Sequence, residues 1–172
     1  MVEKELVIDG LELNYTGLFK LSTLLRTIDE LLAEKGYSKN EKHREERVRP
    51  SGKSFVMELR PTRTMSAYES VMVKMRITIS DINEVEVIID NKKRNVEQGT
   101  IHIIFDGWTS TDYEWRWEQK AWVWLLRGFF EKFFFKVKTR KFHSLLVEDT
   151  HHFYNNIKAH LNLHRFIFKE KK

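Results

Sequence analysis

A chain of 172 residues without cysteine contains no disulfide, no thiolate zinc site and no cysteine nucleophile. Its length predicts a single domain over residues 1–172, and its 30 Lys and Arg residues against 25 Asp and Glu residues give a formal charge of +5, which favours anionic partners only mildly. We expect a cytoplasmic protein, because the chain lacks cysteine and its start, MVEKELVIDG, has no apolar run behind a basic beginning.

The first predicted elements are a strand and a long helix. Residues 4–13, KELVIDGLEL, carry apolar side chains in an extended pattern that Gly10 bends or ends. The helix is predicted over residues 17–36, with Thr16 as its cap and Gly36 where a left-handed terminator belongs. Its apolar side has three- and four-residue spacing and consists of Leu18, Leu21, Leu24, Leu25, Ile28, Leu31 and Leu32.

A hairpin and a strongly alternating strand are predicted next. The turn-forming Pro-Ser-Gly at 50–52 separates the polar residues 40–49 from the alternating residues 53–60, KSFVMELR, and this is the pattern of a β-hairpin. Residues 70–79 place Val, Met and Ile at every second position and polar or flexible residues between them. This alternation predicts a strand with one buried face and one wet face.

Three further strands are predicted before the chain becomes helical. Residues 85–89 repeat the alternation, and the Asn-Lys-Lys cluster at 91–93 makes a turn. Another strand begins at residues 101–105 and ends at the Asp-Gly pair at 106–107. Aromatic and charged residues alternate over 113–117, which predicts the last strand.

Helical periodicity begins at Lys120 and continues in one or two segments. The clearest stretch runs from about Ser144 to His164, with Leu146, Phe153, Ile157 and Leu161 on one side. The whole order predicts an α+β fold. Because hairpin-linked strands pair with their neighbours, we expect a curved antiparallel sheet of about six to seven strands packed on the long N-terminal helix and on one or two C-terminal helices.

This order of elements resembles the helix-grip architecture of the START and Bet v 1-like superfamily, with residues 5–13 as first strand and residues 145–164 as gripped helix. The resemblance implies a cavity between sheet and C-terminal helix that takes a hydrophobic small molecule, and it carries over no catalytic residue. We therefore expect non-catalytic binding of a hydrophobic or amphipathic small molecule. The residues expected to line the cavity are Met75, Ile77, Ile103, Phe105, Trp115, Trp117, Trp122, Phe129 and Phe133.

The aromatic segment from Trp115 to Phe135 leaves three interpretations open. Apolar residues after Trp122 occupy more than one side of the proposed helix, so this surface must be covered. It packs as core, lines a ligand pocket, or forms an exposed patch beside basic residues. The third interpretation gives the alternative function, an interaction protein that docks on an anionic membrane surface or a macromolecule through residues 120–141. Charges interrupt the apolar run over 121–135, which is too short for a membrane span.

Residues suited to catalysis or metal binding have simpler explanations. His160 and His164 have the one-turn spacing of two metal ligands, but a closed site needs further ligands from elsewhere, such as Asp106 or Asp112. Asp106, Asp112, Glu114 and Glu118 flank aromatic residues, and outward-facing strand positions account for them. No phosphate loop, dinucleotide fingerprint or nucleophile elbow occurs. The sequence thus favours a binding protein over an enzyme, without cofactor or metal.

Nucleic acid ranks below the other partners. Basic residues gather at Arg44, Arg47, Arg49 and Lys53 and again over 136–141. Glutamates interrupt the first cluster, and a charge-rich hairpin arm is typical of an edge strand protected against aggregation. The predicted partners are therefore a hydrophobic small molecule and, for the alternative function, an anionic membrane surface.

Overall fold

The computed structural model describes residues 3–49, 52–66, 69–89, 92–111 and 136–169. In chain order the elements are β1 (Glu3–Phe19), α1 (Leu21–Glu34), β2 (Glu41–Arg49), β3 (Gly52–Leu59), β4 (Thr62–Thr64), β5 (Glu69–Ile89), β6 (Lys92–Thr111) and α2 (Lys136–Lys169). The six strands form one antiparallel sheet in the order β1-β6-β5-β3-β2, with β4 paired to β5 beside this path. The structure confirms an α+β fold with an antiparallel sheet and two helices.

One face of the sheet is apolar because successive strand residues point to opposite faces. The pairing register aligns alternate residues of neighbouring strands into rows across this face. One row crosses four strands and consists of Leu13, Ile103, Ile77 and Met57, each at most 2% exposed. The alternating apolar residues predicted over 70–79 therefore lie at the centre of the core.

Both helices contribute to the core that this sheet face forms. Helix α1 supplies Leu24, Ile28, Leu31 and Leu32. Helix α2 supplies Leu146, Phe153, Ile157 and Leu161, the residues that its periodicity predicts for one side. Apart from the adjacent Leu31 and Leu32, successive members of each set are three, four or seven residues apart, which gives a helix one buried stripe.

The N-terminal helix is shorter than the sequence predicts. It spans Leu21–Glu34, 14 residues, whereas the periodicity predicts residues 17–36. Strand β1 extends to Phe19 because it stays paired with β6 as far as Glu97, so Leu18 belongs to a strand although it fits the helical spacing. Thr16 is likewise a strand residue and not the cap; the N-cap residue is Lys20. The long N-terminal helix is therefore a wrong prediction.

The predicted terminator Gly36 is confirmed. Its φ is +71°, a left-handed conformation that glycine adopts without a Cβ clash. The Gly36 amide donates to the Ala33 carbonyl, and the Tyr37 amide donates to the Leu32 carbonyl at 2.8 Å. These two bonds satisfy carbonyls that the end of the helix leaves open.

Strand β5 is longer than predicted because two predicted strands are continuous, and β6 runs from Lys92 to Thr111, past the end predicted at the Asp-Gly pair at 106–107. Residues 85–89 belong to the same strand as residues 70–79, with a register shift between Ser80 and Asn83 and a positive φ of 55° at Asp81. On β6, a Cβ at Gly99 would lie 2.8 Å from the Ser80 carbonyl oxygen. Strand β5 therefore continues past the irregularity at Asp81, and Gly99 of β6 leaves room for it because glycine has no Cβ. The strand predicted over 113–117 and the helix predicted from Lys120 to residue 135 lie outside the described residues.

Candidate functional site

Four of the nine predicted lining residues lie side by side in the core. Met75 pairs with Phe105 and Ile77 with Ile103 on the neighbouring strands β5 and β6, and all four are at most 1% exposed. Phe105 also makes an edge-to-face contact with Tyr154 of α2, at 6.2 Å between ring centroids. The other five, Trp115, Trp117, Trp122, Phe129 and Phe133, lie outside the described residues. A cavity lined by these nine side chains stays a prediction.

A groove of about 690 Å³ lies elsewhere, beside the first half of helix α1. Its opposite wall comes from the end of the β5–β6 hairpin at Glu84 and residues 95–97, and Lys39 and Arg44 contribute from the chain around the start of β2. The irregularity of β5 at Asp81 separates this end of the hairpin from the part of the sheet that carries the central core row. The groove is therefore built from segments far apart in sequence.

The groove contains an apolar surface. Leu21 and Leu25 are half-buried on α1; Leu21 lies three residues before the buried Leu24, and Leu25 directly follows it. Val96 of β6 lines the same groove and is 4% exposed. Helical periodicity assigns both leucines to the core side, and it gives no sign that Val96, about 70 residues later, lines a groove with them.

Every acidic side chain in the groove already accepts a hydrogen bond. The Asp29 carboxylate lies 2.8 Å from Lys39 Nζ, and Glu84 Oε1 accepts from Lys53 Nζ at 3.1 Å. Glu97 Oε2 accepts from the Leu21 amide at 2.6 Å. This last bond satisfies one of the first amides of α1 and places a negative charge at the positive end of the helix dipole. Glu97 thus performs the capping role that the sequence assigns to Thr16.

Two basic side chains of the groove, unlike its acids, are not paired within the described part of the chain. Arg44 and Lys20 are exposed, and neither makes an ion pair with any residue in the described part of the chain. The Arg44 guanidinium carbon lies 5.5 Å from the centroid of the Phe55 ring, which supports the guanidinium from one side. A third groove cation, Arg26, forms an exposed pair with Glu30 at 3.4 Å.

A second polar cluster is buried at the other end of α1. Asp149 of α2 is 4% exposed and accepts from Tyr37 Oη at 3.1 Å and from Arg63 Nη1 at 3.2 Å, while Lys35 Nζ lies 3.3 Å away. The Tyr37 ring packs edge-to-face on Phe153. Burial, together with the negative charge and hydrogen bond of Asp149, raises the pKa of Tyr37 well above its usual value near 10.

The carboxylate at Asp106 has a structural explanation. Its Oδ1 accepts from the Gly10 amide at 3.0 Å, and its Oδ2 accepts from Arg76 Nη2 at 3.0 Å. Gly10 lies where the pairing of β1 with β6 shifts register, between Ile8 and Leu11. The Asp106 carboxylate therefore accepts from a backbone amide that has no partner in the regular strand pairing. The other predicted acid-base candidates, Asp112, Glu114 and Glu118, lie outside the described residues.

The histidine pair of α2 is only partly described. His160 Nδ1 lies 3.4 Å from Thr27 Oγ1, so it contributes to the contact between α2 and α1. The side chain of His164 is outside the described set. Within the described ranges, no group of three or more His, Asp or Glu side chains could hold a metal ion.

The first basic cluster does not form one surface. Arg44 pairs opposite Met57 and Arg47 opposite Ser54, so the two side chains lie on opposite faces of β2. Arg47 pairs with Glu45, and Lys53 pairs with Glu84. Of the proposed docking segment 120–141, only the side chain of Lys141 is described, and it is exposed. Among the helices of the described ranges, none combines the length and hydrophobicity that crossing a membrane requires.

Comparison of the chain with protein-family models, with curated proteins and with solved structures gives no match. The resemblance to the helix-grip superfamily therefore extends to an α+β fold with an antiparallel sheet and helices.

Proposed function

We propose that the protein binds an amphipathic small molecule, without reacting with it, in the groove between α1 and the end of the β5–β6 hairpin. One observation carries this proposal: a groove of about 690 Å³ combines the apolar Leu21, Leu25 and Val96 with charged side chains around them. That volume is within the range of about 300 to 1,000 Å³ that is common for small-molecule sites. An apolar surface beside charges suits a ligand with an apolar body and a polar head.

Binding without reaction fits the state of the polar groups. The three carboxylates each accept a hydrogen bond from the protein, and no histidine is among the described lining residues. Ser22 is exposed on α1, and the groove holds no described histidine to act as its general base. The helix-grip resemblance favours the same class of function, although it places the cavity between the sheet and the C-terminal helix.

The test uses three probes with one decyl chain and different heads: decanoate, decyl glucoside and decyltrimethylammonium. Each is titrated into the protein by isothermal titration calorimetry below its micelle concentration, and native mass spectrometry counts the bound molecules. Ser22→Trp fills the groove from an exposed position of α1. We expect at least one probe to bind at a ratio of one and to lose about tenfold or more in affinity in this variant.

Ser144→Trp is the matched control. Ser144 is also an exposed serine on a helix, but it lies on α2, outside the described lining of the groove. We expect this variant to bind the probes as the unchanged protein does. The proposal is wrong if no probe binds, or if the two tryptophan variants lose affinity equally.

A further inference from the structure

We infer that the groove selects ligands whose head group is an anion, a carboxylate or a phosphate or sulfate ester, and that Arg44 binds this group with Lys20 beside it. The inference rests on the proposed function and specifies its ligand class. The acids and the bases of the groove differ in how they are paired. Both signs of charge are present, but they are not equally paired.

Each of the three described groove acids already accepts a hydrogen bond from the protein, which offsets part of its attraction for a cationic ligand. Asp29 is bound to Lys39, Glu84 to Lys53, and Glu97 to the Leu21 amide. A cationic ligand that displaced Lys39 or Lys53 would leave that lysine without its carboxylate partner. A ligand that displaced the Leu21 amide would remove the cap of α1. These acids therefore attract a cationic head less strongly than carboxylates without any partner would.

Arg44 is positioned for the opposite task. Its guanidinium lies over the Phe55 ring, and Phe55 is fully buried, so the aromatic support is part of the rigid core. A guanidinium held over a ring in this way keeps N–H donors free for the two oxygens of a carboxylate or phosphate. No described residue supplies an anion to Arg44 within ion-pair distance. A ligand anion fills that place.

Lys20 adds a second positive charge on the other wall. It is the exposed N-cap residue of α1, directly before Leu21, and it makes no ion pair within the described chain. Arg44 and Lys20 thus flank the apolar surface formed by Leu21, Leu25 and Val96. The arrangement places the head of an amphipathic anion between the two cations and its apolar body on that surface.

The experiment compares the three head groups and two arginine variants. With the three decyl probes, we expect decanoate to bind at least tenfold more tightly than decyltrimethylammonium, with decyl glucoside between them. Arg44→Gln is expected to weaken decanoate binding five- to tenfold and to leave decyl glucoside binding within twofold. Arg47→Gln is the matched control, because it removes the same charge from the same strand on the opposite face.

The outcomes separate this inference from the proposed function. If the three heads bind with equal affinity, or if Arg44→Gln and Arg47→Gln weaken decanoate equally, the anion inference is wrong and the proposed function stands. If no probe binds, both are wrong. Co-sedimentation with phosphatidylglycerol vesicles distinguishes a free ligand from a bilayer: binding to vesicles without binding to monomeric decanoate overturns the inference.

Discussion

The two ends of helix α1 differ in how their charged side chains are paired. At the C-terminal end, Lys35, Tyr37 and Arg63 all converge on Asp149; Asp149 and Tyr37 are buried, and Lys35 and Arg63 are partly exposed. At the N-terminal end, the acids are bound within the protein, but Arg44 and Lys20 have no ion-pair partner among the residues that the structure describes. The first end holds the helices and β4 together, and the second leaves charge for a partner.

This difference shows how a charged cluster can be interpreted from its pairing. A buried carboxylate with three donors stabilises the fold because removing either side leaves charge or donors unpaired. An exposed cation without a partner contributes little to stability. We therefore expect substitutions at the closed end to change the free energy of unfolding and substitutions of the open cations to change binding.

The largest expected effect is at the closed end. Asp149→Ala removes the acceptor of Tyr37 and Arg63 and the ion pair with Lys35, so we expect the free energy of unfolding to fall by about 3 kcal/mol. Urea denaturation at pH 7 measures this change. Glu30→Ala removes an exposed carboxylate that pairs with Arg26, and we expect about 0.5 kcal/mol or less. Equal losses in the two variants would contradict a closed network.

The second prediction concerns alkaline pH. Because the pKa of Tyr37 is raised in the folded protein, the unfolded chain loses this proton near pH 10 while the folded chain keeps it. The contribution of Tyr37 is complete below pH 10, and above it stability falls by up to about 1.4 kcal/mol per pH unit. Urea denaturation of Tyr37→Phe from pH 8 to pH 11 should show a shallower fall than the unchanged protein. Parallel profiles would refute the effect of burial.

The third prediction tests the cap at the open end. Glu97→Ala deprives the Leu21 amide of its acceptor, and we expect a loss of about 1 kcal/mol in the free energy of unfolding. Glu84→Ala removes another groove acid, whose pair with Lys53 is exposed, and it should cost about half as much or less. Urea denaturation of both variants measures the difference. A smaller loss at Glu97 than at Glu84 would mean that α1 does not depend on this cap.

The smallest expected effect is the one that separates binding from stability. Arg44→Gln removes only a contact with the Phe55 ring, so we expect a loss of about 0.5 kcal/mol in the free energy of unfolding. The same variant is expected to weaken decanoate binding. A large loss of stability in urea denaturation would place Arg44 among the structural residues and remove the contrast between the two ends.

The sequence predicts the parts of the fold that depend on local periodicity. The alternation around Met75 and Ile77 encodes a buried strand face, and the spacing of Phe153 and Ile157 encodes the buried side of α2. The start of α1 is not predictable in this way. Leu18 fits a helical stripe, but its backbone pairs with Gln98 of β6, and nothing near Leu18 in the sequence indicates that partner.

The candidate sites follow the same division. Asp149 occupies the apolar side of α2, three residues after Leu146 and four before Phe153, and a carboxylate in such a stripe is a signal for a buried partner. The groove has no comparable signal. Arg44 stands in a charge-rich strand, and its relation to Leu25 and Val96 arises only when β2, α1 and β6 come together. The local sequence pattern therefore predicts that Asp149 is buried, but it does not predict the groove.

The pairing of β1 with β6 has a consequence for folding kinetics. Ile89 and Lys92 are neighbours in a hairpin, whereas Phe19 pairs with Glu97 and Glu3 with Thr111, across roughly 80 to 110 residues of chain. Closing so long a loop is entropically slow, so we expect the β5–β6 hairpin to gain hydrogen-exchange protection before β1 in a refolding pulse experiment. Because α1 receives its cap from Glu97 and directly follows β1, we expect the groove to assemble after the β5–β6 hairpin has formed.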